Sequence, residues 1–359
     1  MKRIYNFSAG PAILPLPVLE EASRGILEIA DSGMSILEVS HRGKDYEAIH
    51  FDAKERLLRV LGLDSEQYTA LFLGGGASLQ FAMLPMNFLS AGQTADYVHT
   101  GEWSKKAMAE AERYGTVNVA ASSEGDRFSY IPNAQRPTPN ARYFHITTNN
   151  TIEGTEFPRL PDTGEVPLVG DISSDILARA LDYSKFTLLY AGAQKNAGPA
   201  GVTLVVARKD FIEQANDDVP VILSYKTHAK NDSLYNTPPA FAIYVVDLVL
   251  KWIEAQGGLR TVEERNREKA AVVYDALDAY PDVYEPAVTV KEDRSLMNIT
   301  FRLRNPDREK DFLTGAQERG MDGLKGHRSV GGFRASVYNA FPKEGCCALA
   351  EYLETFARL

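Results

Sequence analysis

Lys195 differs from the other lysines of the chain in its sequence surroundings. It follows an apolar, strand-like run at 186–190 and is reached through the small residues at 191–193. A lysine among small residues can reach inward, where its amine could form a Schiff base and carry a proton between two carbon atoms. The flank at 196–201, rich in Gly, Pro and Ala, leads into another apolar run at 202–207. Ordinary loop lysines are far more frequent than catalytic ones, so the residue alone leaves both interpretations open.

Asp171 ends a second apolar run, at 166–171. Ligands of open α/β sheets bind at the carboxyl ends of the strands, where such a carboxylate would lie. It could pair with a pyridinium nitrogen, keep that nitrogen protonated and let the ring accept electrons from a carbanion. The alternative is an N-cap for a helix that begins near Ser173, a common role for aspartate.

A glycine turn connects the strand-like run 69–73 to a helical pattern at 79–88. Its last residues are Gly76, Ala77 and Ser78. Backbone N–H groups, the start of a helix and the Ser78 hydroxyl could together bind a phosphate. The turn is not a Walker loop, because no Gly-Lys-Ser/Thr follows. A tight turn in which the glycines supply positive φ is the alternative.

The elements that would position these residues alternate between strand and helix patterns up to about residue 237. This alternation predicts an α/β fold with a mainly parallel sheet covered by helices. Two long helical patterns follow, at 240–255 and 258–279. The remainder contains strand-like runs at 283–290, 297–303 and 335–338 and helical patterns near 306–319 and 343–357.

The change of pattern near residue 240 and the adjacent glycines at 257 and 258 indicate two domains. We therefore predict a large domain at 16–257 and a small C-terminal α/β domain at 258–359, with the arm 1–15 packing near the small one. Active sites often lie between such domains.

Composition and charge argue against several classes of protein. The net charge of −9 and the absence of a long basic run argue against a nucleic-acid partner. The most apolar stretch, 240–253, contains Asp247 and Lys251 and is too short to cross a bilayer. Prolines interrupt the start before any signal peptide could form, and Cys346 and Cys347 are adjacent, which suits neither a disulfide nor a metal site. We expect a cytoplasmic protein without a metal.

Beyond these single features, several segments of the chain resemble the phosphoserine aminotransferases, a family of class-V aminotransferases that depend on pyridoxal 5'-phosphate. The resemblance covers nearly the whole chain, and its motifs occur in the order of that family. They are the segments 6–11, 38–44, 192–201, 236–239, 325–328 and 331–336.

The resemblance implies an aspartate aminotransferase-like architecture (fold type I), and a homodimer whose active sites lie at the subunit interface. Lys195 would carry the cofactor as a Schiff base and Asp171 would bind its ring nitrogen. Trp103 would stack on the ring and Thr151 would bind the ring hydroxyl, although core packing and a turn are the ordinary roles of such residues. The cofactor phosphate would be bound by Gly76, Ala77, Ser78 and Gln194 of one subunit and by Asn236 and Thr237 of the other.

The substrates implied are glutamate and 3-phosphohydroxypyruvate, which would give 2-oxoglutarate and O-phosphoserine in serine biosynthesis. Arg334 would bind the α-carboxylate, because a guanidinium matches a carboxylate geometrically. The phosphate or side-chain carboxylate would meet His327 and Arg328, together with His41 and Arg42 of the partner subunit. Each of these could instead form a surface salt bridge. Some family members also act on 4-phosphohydroxy-threonine in vitamin B6 synthesis.

Three alternatives within or near this fold remain. An alanine-glyoxylate or serine-pyruvate type transaminase would not need the phosphate-binding cations. A desulfurase is disfavoured, because both cysteines lie near the C-terminal helical pattern. A non-catalytic cofactor-binding protein is disfavoured by the intact lysine and aspartate.

Overall fold

The structure, a computed structural model, describes residues 3–133 and 136–359. Within these residues the α-helices, numbered in chain order, are α1 (Leu16–Leu27), α2 (Lys44–Val60), α3 (Gly76–Phe88), α4 (Glu102–Ala111), α5 (Lys209–Ile212), α6 (Tyr225–Lys230), α7 (Ala240–Ala255), α8 (Gly258–Asp278), α9 (Glu309–Glu318) and α10 (Lys343–Ala357). The strands are β1 (Tyr5–Asn6), β2 (Tyr68–Leu73), β3 (Thr94–His99), β4 (Thr116–Ser122), β5 (Phe144–Thr147), β6 (Leu168–Asp171), β7 (Leu188–Gly192), β8 (Thr203–Arg208), β9 (Tyr284–Pro286), β10 (Asn298–Leu303), β11 (Met321–Asp322) and β12 (Phe333–Ser336).

A seven-stranded sheet forms the centre of the molecule, in the order β2-β8-β7-β6-β5-β3-β4. Neighbours from β7 to β4 pair in parallel, whereas β8 is antiparallel to both β2 and β7. The predicted α/β fold with a mainly parallel sheet is therefore confirmed. Because β5, β6 and β7 run in the same direction, Thr147, Asp171 and Gly192 come together at one edge of the sheet.

Helices cover both faces of this sheet. On one face, α3 and α4 bury apolar side chains such as Phe81 and Met108 against the strands. On the other face, α2 and α7 do the same with Leu57 and Val246. α7 is apolar nearly all round because α1, α2 and α8 also pack against it. Its bounds coincide with the predicted range 240–255.

A smaller antiparallel sheet, in the order β12-β10-β9, packs with α8, α9 and α10 around a second apolar core. The N-terminal arm lies against this unit: β1 pairs in parallel with β11, and Phe7 is fully buried in the second core. α8 contributes Val262 to a cluster with α7 and Ala270 to the second core. The domain boundary between residues 257 and 258 stays a prediction.

Four predicted elements need correction. The α-helix predicted near 306–319 begins at Glu309, and the strand predicted over 335–338 lies at Phe333–Ser336. The helix predicted over 79–88 begins three residues earlier, at Gly76, because the glycine turn is itself the helix start. The strand predicted over 283–290 is confined to Tyr284–Pro286, since only these residues pair with β10. Among the described residues, no helix is long and apolar enough to span a bilayer. In the same ranges, no three His, Cys, Asp or Glu side chains are grouped as metal ligands would be.

Candidate active site

A cavity of about 280 Å³ opens at the carboxyl ends of β6 and β7, where the topology of the sheet predicts a ligand site. Its size lies close to the lower limit of small-molecule sites, about 300 Å³. Eight of the predicted cofactor-binding residues line it together: Gly76, Ala77, Ser78, Trp103, Thr151, Asp171, Gln194 and Lys195. Sequence positions more than a hundred residues apart thus converge on one cavity.

Lys195 points into this cavity from the turn after β7. Its Nζ donates to Oγ1 of Thr151 at 2.8 Å and lies 5.9 Å from the centre of the Trp103 ring. Burial lowers the pKa of Lys195 to about 8, although the nearby charge of Asp171 acts in the opposite direction. Near neutral pH the amine is therefore much closer to its nucleophilic neutral form than an exposed lysine is.

Asp171 is buried at the end of β6. Its Oδ1 accepts hydrogen bonds from the backbone N–H of Ser173 at 3.0 Å and from the Ser173 hydroxyl at 2.6 Å. Burial raises the pKa of Asp171, while the bonds from Ser173 and the charge of Lys195 lower it. A turn, not a helix, follows at Ser173, so Asp171 is not the N-cap of a helix. The Oγ of Ser173 also accepts from the N–H of Gly192 at 3.1 Å, which ties Asp171 to the strand that leads to Lys195.

The glycine turn forms the cavity wall opposite this edge. Gly75 and Gly76 have φ of +79° and +64°, in the left-handed region that favours glycine. A Cβ on Gly75 would lie 2.5 Å from the Cβ of Leu79, so close packing also requires glycine there. Because α3 starts at Gly76, its unpaired N–H groups face the cavity beside Ser78. This is the arrangement that binds a phosphate at a helix N-terminus.

Trp103 lies in the first turn of α4, with part of its ring surface facing the cavity. Lys106 covers the ring at 4.7 Å from its centre. No described residue accepts a hydrogen bond from Trp103 Nε1. A flat apolar surface at this place suits contact with an aromatic ligand.

Arg334, on β12, approaches the same loop from the small sheet. Its Nη1 donates to the backbone carbonyl of Thr151 at 3.1 Å, and burial lowers its pKa. A small neighbouring cavity of about 40 Å³ is lined by Arg334, His327 and Glu153. Arg328 is exposed and lines neither cavity. The structure therefore brings Arg334 and His327 together and leaves Arg328 at the rim.

Four further predicted residues, like Arg328, line neither cavity of their own chain. Asn236 and Thr237 are exposed before α7, and His41 and Arg42 lie in the turn before α2. The resemblance assigns all four to the site of a second subunit. A single chain cannot test that assignment, which stays a prediction.

Several polar residues of the cavity were missed by sequence reasoning. Thr147, Asn149, Ser173 and Ser174 all line it. Thr147 ends β5, and the other three lie within three residues after β5 or β6. Polar residues at the ends of buried strands were the available signal. Asn149 is held by hydrogen bonds from its Nδ2 to Ser174 Oγ at 2.9 Å and to Asn298 Oδ1 at 2.8 Å.

The N-terminal arm reaches the back of this site. The N–H of Ala12 donates to the carbonyl of Gln194 at 2.9 Å. A Cβ on Gly10 would stand 3.5 Å from Cγ of Lys195. The arm thus supports the lysine turn from behind.

Comparison with known proteins agrees with this geometry. The Aminotransferase class-V model matches residues 4–349. The phosphoserine aminotransferase of Geobacillus kaustophilus is 55% identical, over 100% of this chain and 99% of its own length. The chain belongs to the phosphoserine aminotransferases. The predicted family, fold class and activity as a transaminase dependent on pyridoxal phosphate are thereby confirmed.

Solved structures agree over the full length. The phosphoserine aminotransferase from Bacillus circulans subsp. alkalophilus has a TM-score of 0.97 and 53% identity, covering 100% of this chain and 99% of that one. A PLP-bound phosphoserine aminotransferase from Trichomonas vaginalis has a TM-score of 0.91 and 40% identity, covering 98% and 100%. An alanine–glyoxylate aminotransferase from Nostoc sp., at 17% identity and a TM-score of 0.75, covers 99% and 95% and shares the fold alone.

Proposed function

We propose that this chain transfers an amino group reversibly between glutamate and 3-phosphohydroxypyruvate, giving 2-oxoglutarate and O-phosphoserine in serine biosynthesis. One observation carries the proposal: a half-buried lysine, a buried aspartate, a tryptophan face and a helix start enclose one cavity, with a half-buried arginine beside it. Each of these groups could contact a chemical group of pyridoxal phosphate or of an amino acid. The geometry therefore suits an aminotransferase of this family best.

The residues of the cavity fit the cofactor. The start of α3 with Ser78 and Gln194 would hold the phosphate, Trp103 would face the ring, and Thr151 would bind the ring hydroxyl. When bound, pyridoxal phosphate supplies an aldehyde that condenses with amines and a ring that withdraws electrons from the α-carbon of a substrate. Asp171 would hold the ring nitrogen in its protonated form, since its carboxylate is buried and fixed by Ser173.

Lys195 has two tasks in this proposal. Its amine anchors the cofactor between turnovers, and in its neutral form Nζ accepts the α-proton of the amino donor and returns a proton later. The lowered pKa, about 8, suits both tasks near neutral pH. The hydrogen bond from Lys195 Nζ to Thr151 Oγ1, 2.8 Å long, holds the amine on the side of the cavity that Trp103 also faces.

Arg334 would bind the α-carboxylate that both substrates carry. Its guanidinium is fixed by Thr151, so the carboxylate is placed next to the residue that also contacts Lys195. His327 and Arg328, with His41 and Arg42 of a second subunit, would bind the substrate phosphate or the distal carboxylate of glutamate. A homodimer is part of this proposal, because Asn236 and Thr237 do not line the cofactor cavity of their own chain. A cytoplasmic location is proposed with it.

The proposal is tested by following the absorption of the bound cofactor while glutamate or O-phosphoserine is added to the purified protein. The wild type should convert fully with either donor. Lys195→Ala should lose turnover, whereas Lys185→Ala, which removes an exposed lysine, should behave like wild type. Full turnover by Lys195→Ala would refute the catalytic role.

Substrate specificity needs a separate measurement. If the cations bind phosphate, Arg328→Ala and Arg42→Ala should lower kcat/KM for O-phosphoserine by about tenfold or more and affect alanine little, because a charged hydrogen bond is lost only with the phosphorylated substrate. Equal losses with O-phosphoserine and alanine would instead favour a transaminase of the alanine-glyoxylate type.

A further inference from the structure

Glu153 is a buried carboxylate for which the proposed function has no task. It is 7% exposed and lies in the loop that also contains Thr151. The loop is fixed to the small sheet, because the hydroxyl of Thr300 donates to the carbonyl of Glu153 at 2.7 Å. Ionisable side chains are rarely this buried without a partner or a function.

One oxygen of Glu153 holds the start of the helix that carries Trp103. Oε1 accepts the backbone N–H of Glu102, the first residue of α4, at 2.9 Å. A helix start has N–H groups without partners inside the helix, and a carboxylate there is favoured by the helix dipole. The chain leaves room for this contact at Gly101, where a Cβ would lie 2.5 Å from Cδ of Glu153.

The second oxygen, Oε2, also packs against Gly101, where an added Cβ would lie 2.5 Å from it. Oε2 of Glu153 and Nε of Arg334 are both buried, and neither has a hydrogen-bond partner among the described residues. Both residues line the cavity of about 40 Å³ beside the cofactor cavity. The charged and titratable side chains around Glu153 are Glu102 at the start of α4, Arg334 on β12, and Arg127, Arg302 and His327 along the cavity.

We propose that Glu153 is a positioning residue for the transamination, which fixes Trp103 through α4 and sets the charge beside Arg334. This inference rests on the proposed function. The loop joins the two effects mechanically, because Thr151, two residues earlier, contacts both Lys195 and Arg334. A second link connects the same loops, from the Thr100 hydroxyl to Asn150 Oδ1 at 3.3 Å.

The charge of Glu153 should change with pH near neutrality. Burial raises its pKa to about 7, and the N–H of Glu102 and the charge of Arg334 offset part of this effect. Above that pH the ionised carboxylate weakens the positive potential at Arg334, so substrate carboxylates should bind less well as pH rises. Burial and the neighbouring cations Arg334 and Arg328 lower the pKa of His327.

The test uses the holoenzyme with glutamate, which has no titrating phosphate. In the wild type we expect KM to rise by about three- to tenfold between about pH 6 and pH 8. Glu153→Gln keeps an acceptor for the Glu102 N–H but cannot ionise, so its KM should stay low and flat over this range. Glu110→Gln, which changes a half-exposed carboxylate on the same helix, serves as the matched control and should follow the wild type.

Glu153→Ala also removes the acceptor at the helix start. In a Trp252→Phe background Trp103 is the only tryptophan, so its emission reports the contact with bound cofactor. We expect Glu153→Ala to change the quenching of this emission by the cofactor and to lower kcat by about tenfold, roughly the effect of one lost charged hydrogen bond. Glu153→Gln should keep the quenching of the wild type.

The proposal is overturned if Glu153→Gln keeps the pH dependence of the wild-type KM, even where Glu153→Ala does not fold. Quenching and kcat like those of the wild type in a folded Glu153→Ala protein would also overturn it. If the wild type itself fails to convert with glutamate, the proposed function fails instead, so the two failures are distinguishable.

Discussion

Lys195 and Asp171 share one site, in which burial favours the uncharged form of both side chains. Burial therefore lowers the pKa of Lys195 and raises the pKa of Asp171. Their opposite charges partly offset this effect. The lysine thereby stays reactive near neutral pH, while the bonds from Ser173 favour the charged carboxylate.

The lowered pKa of Lys195 leads to a prediction on cofactor uptake. A neutral amine attacks an aldehyde and an ammonium does not, so the uptake rate of cofactor-free protein should rise with pH and level off above about 8. Stopped-flow absorption at a series of pH values measures this rate. A plateau reached only near the pKa of an exposed lysine, about 10.4, would contradict the role of burial.

Replacement of Asp171 by asparagine separates its charge from its shape. The asparagine side chain would still accept from Ser173 but could not hold a ring nitrogen in its protonated form. We expect Asp171→Asn to lower kcat by about a hundredfold or more, the usual cost of losing a preorganised electrostatic partner. Single-turnover kinetics with glutamate provides the measurement. Asp162→Asn, in an exposed loop, is the control and should stay within twofold of wild type, about the size of ordinary surface effects.

At the scale of elements, the glycine turn before α3 matters both for packing and for phosphate binding. Gly75→Ala combines a positive φ with overlap against Leu79, whereas Gly62→Ala introduces a Cβ at φ +69° into open space. We expect about 1–3 kcal/mol of destabilisation for Gly75→Ala and about 1 kcal/mol for Gly62→Ala. Thermal unfolding of the cofactor-free proteins measures both costs.

The two glycine variants should also differ in cofactor affinity. Only Gly75→Ala disturbs the N–H groups at the start of α3, so only this variant should bind pyridoxal phosphate more weakly. Titration of the cofactor-free proteins gives the Kd. Equal weakening by Gly62→Ala would show that general stability, not the turn, controls binding.

Elements with regular apolar patterns were predictable from the sequence. α7 and α10 have the predicted bounds. In α10 buried and exposed positions alternate with a helical period, whereas α7 is a long apolar run that follows prolines and ends before two glycines. The strand predicted over 283–290 was too long, since alternation alone does not show whether a partner strand continues past Pro286. The antiparallel direction of β8 was not predictable, because direction is set by the connections between strands.

The residues of the candidate site also differ in whether the sequence alone could identify them. Lys195 and Asp171 stand at ends of apolar strands and could be found from position and chemistry. Trp103 and Thr151 needed the family resemblance, because nothing in their local patterns distinguishes them from core or turn residues. Glu153 was not found at all: its burial results from contacts with α4 and β10 that are distant in sequence.

At the scale of the whole molecule, shared sites can be tested by mixing an inactive protein, Lys195→Ala, with a weakened one, Arg42→Ala. If Lys195 and Arg42 act in the same site from different subunits, a mixed dimer of Lys195→Ala and Arg42→Ala contains one intact site. Random mixing of equal amounts should then restore about a quarter of the wild-type activity with O-phosphoserine. Assays after unfolding and refolding the mixture measure this, and no recovery would place both residues in the same subunit's site.

The pairing of β1 with β11 also constrains how the protein is made. The arm is synthesised long before its partner strand, which ends at Asp322. At about 5–20 residues per second, the arm waits roughly 15–60 s on the ribosome before it can pair. Since the arm also supports the turn of Lys195, the cofactor cavity should become complete only after Asp322 has been synthesised. Nascent chains stalled before residue 321 should therefore bind pyridoxal phosphate poorly, whereas released full-length chains bind it.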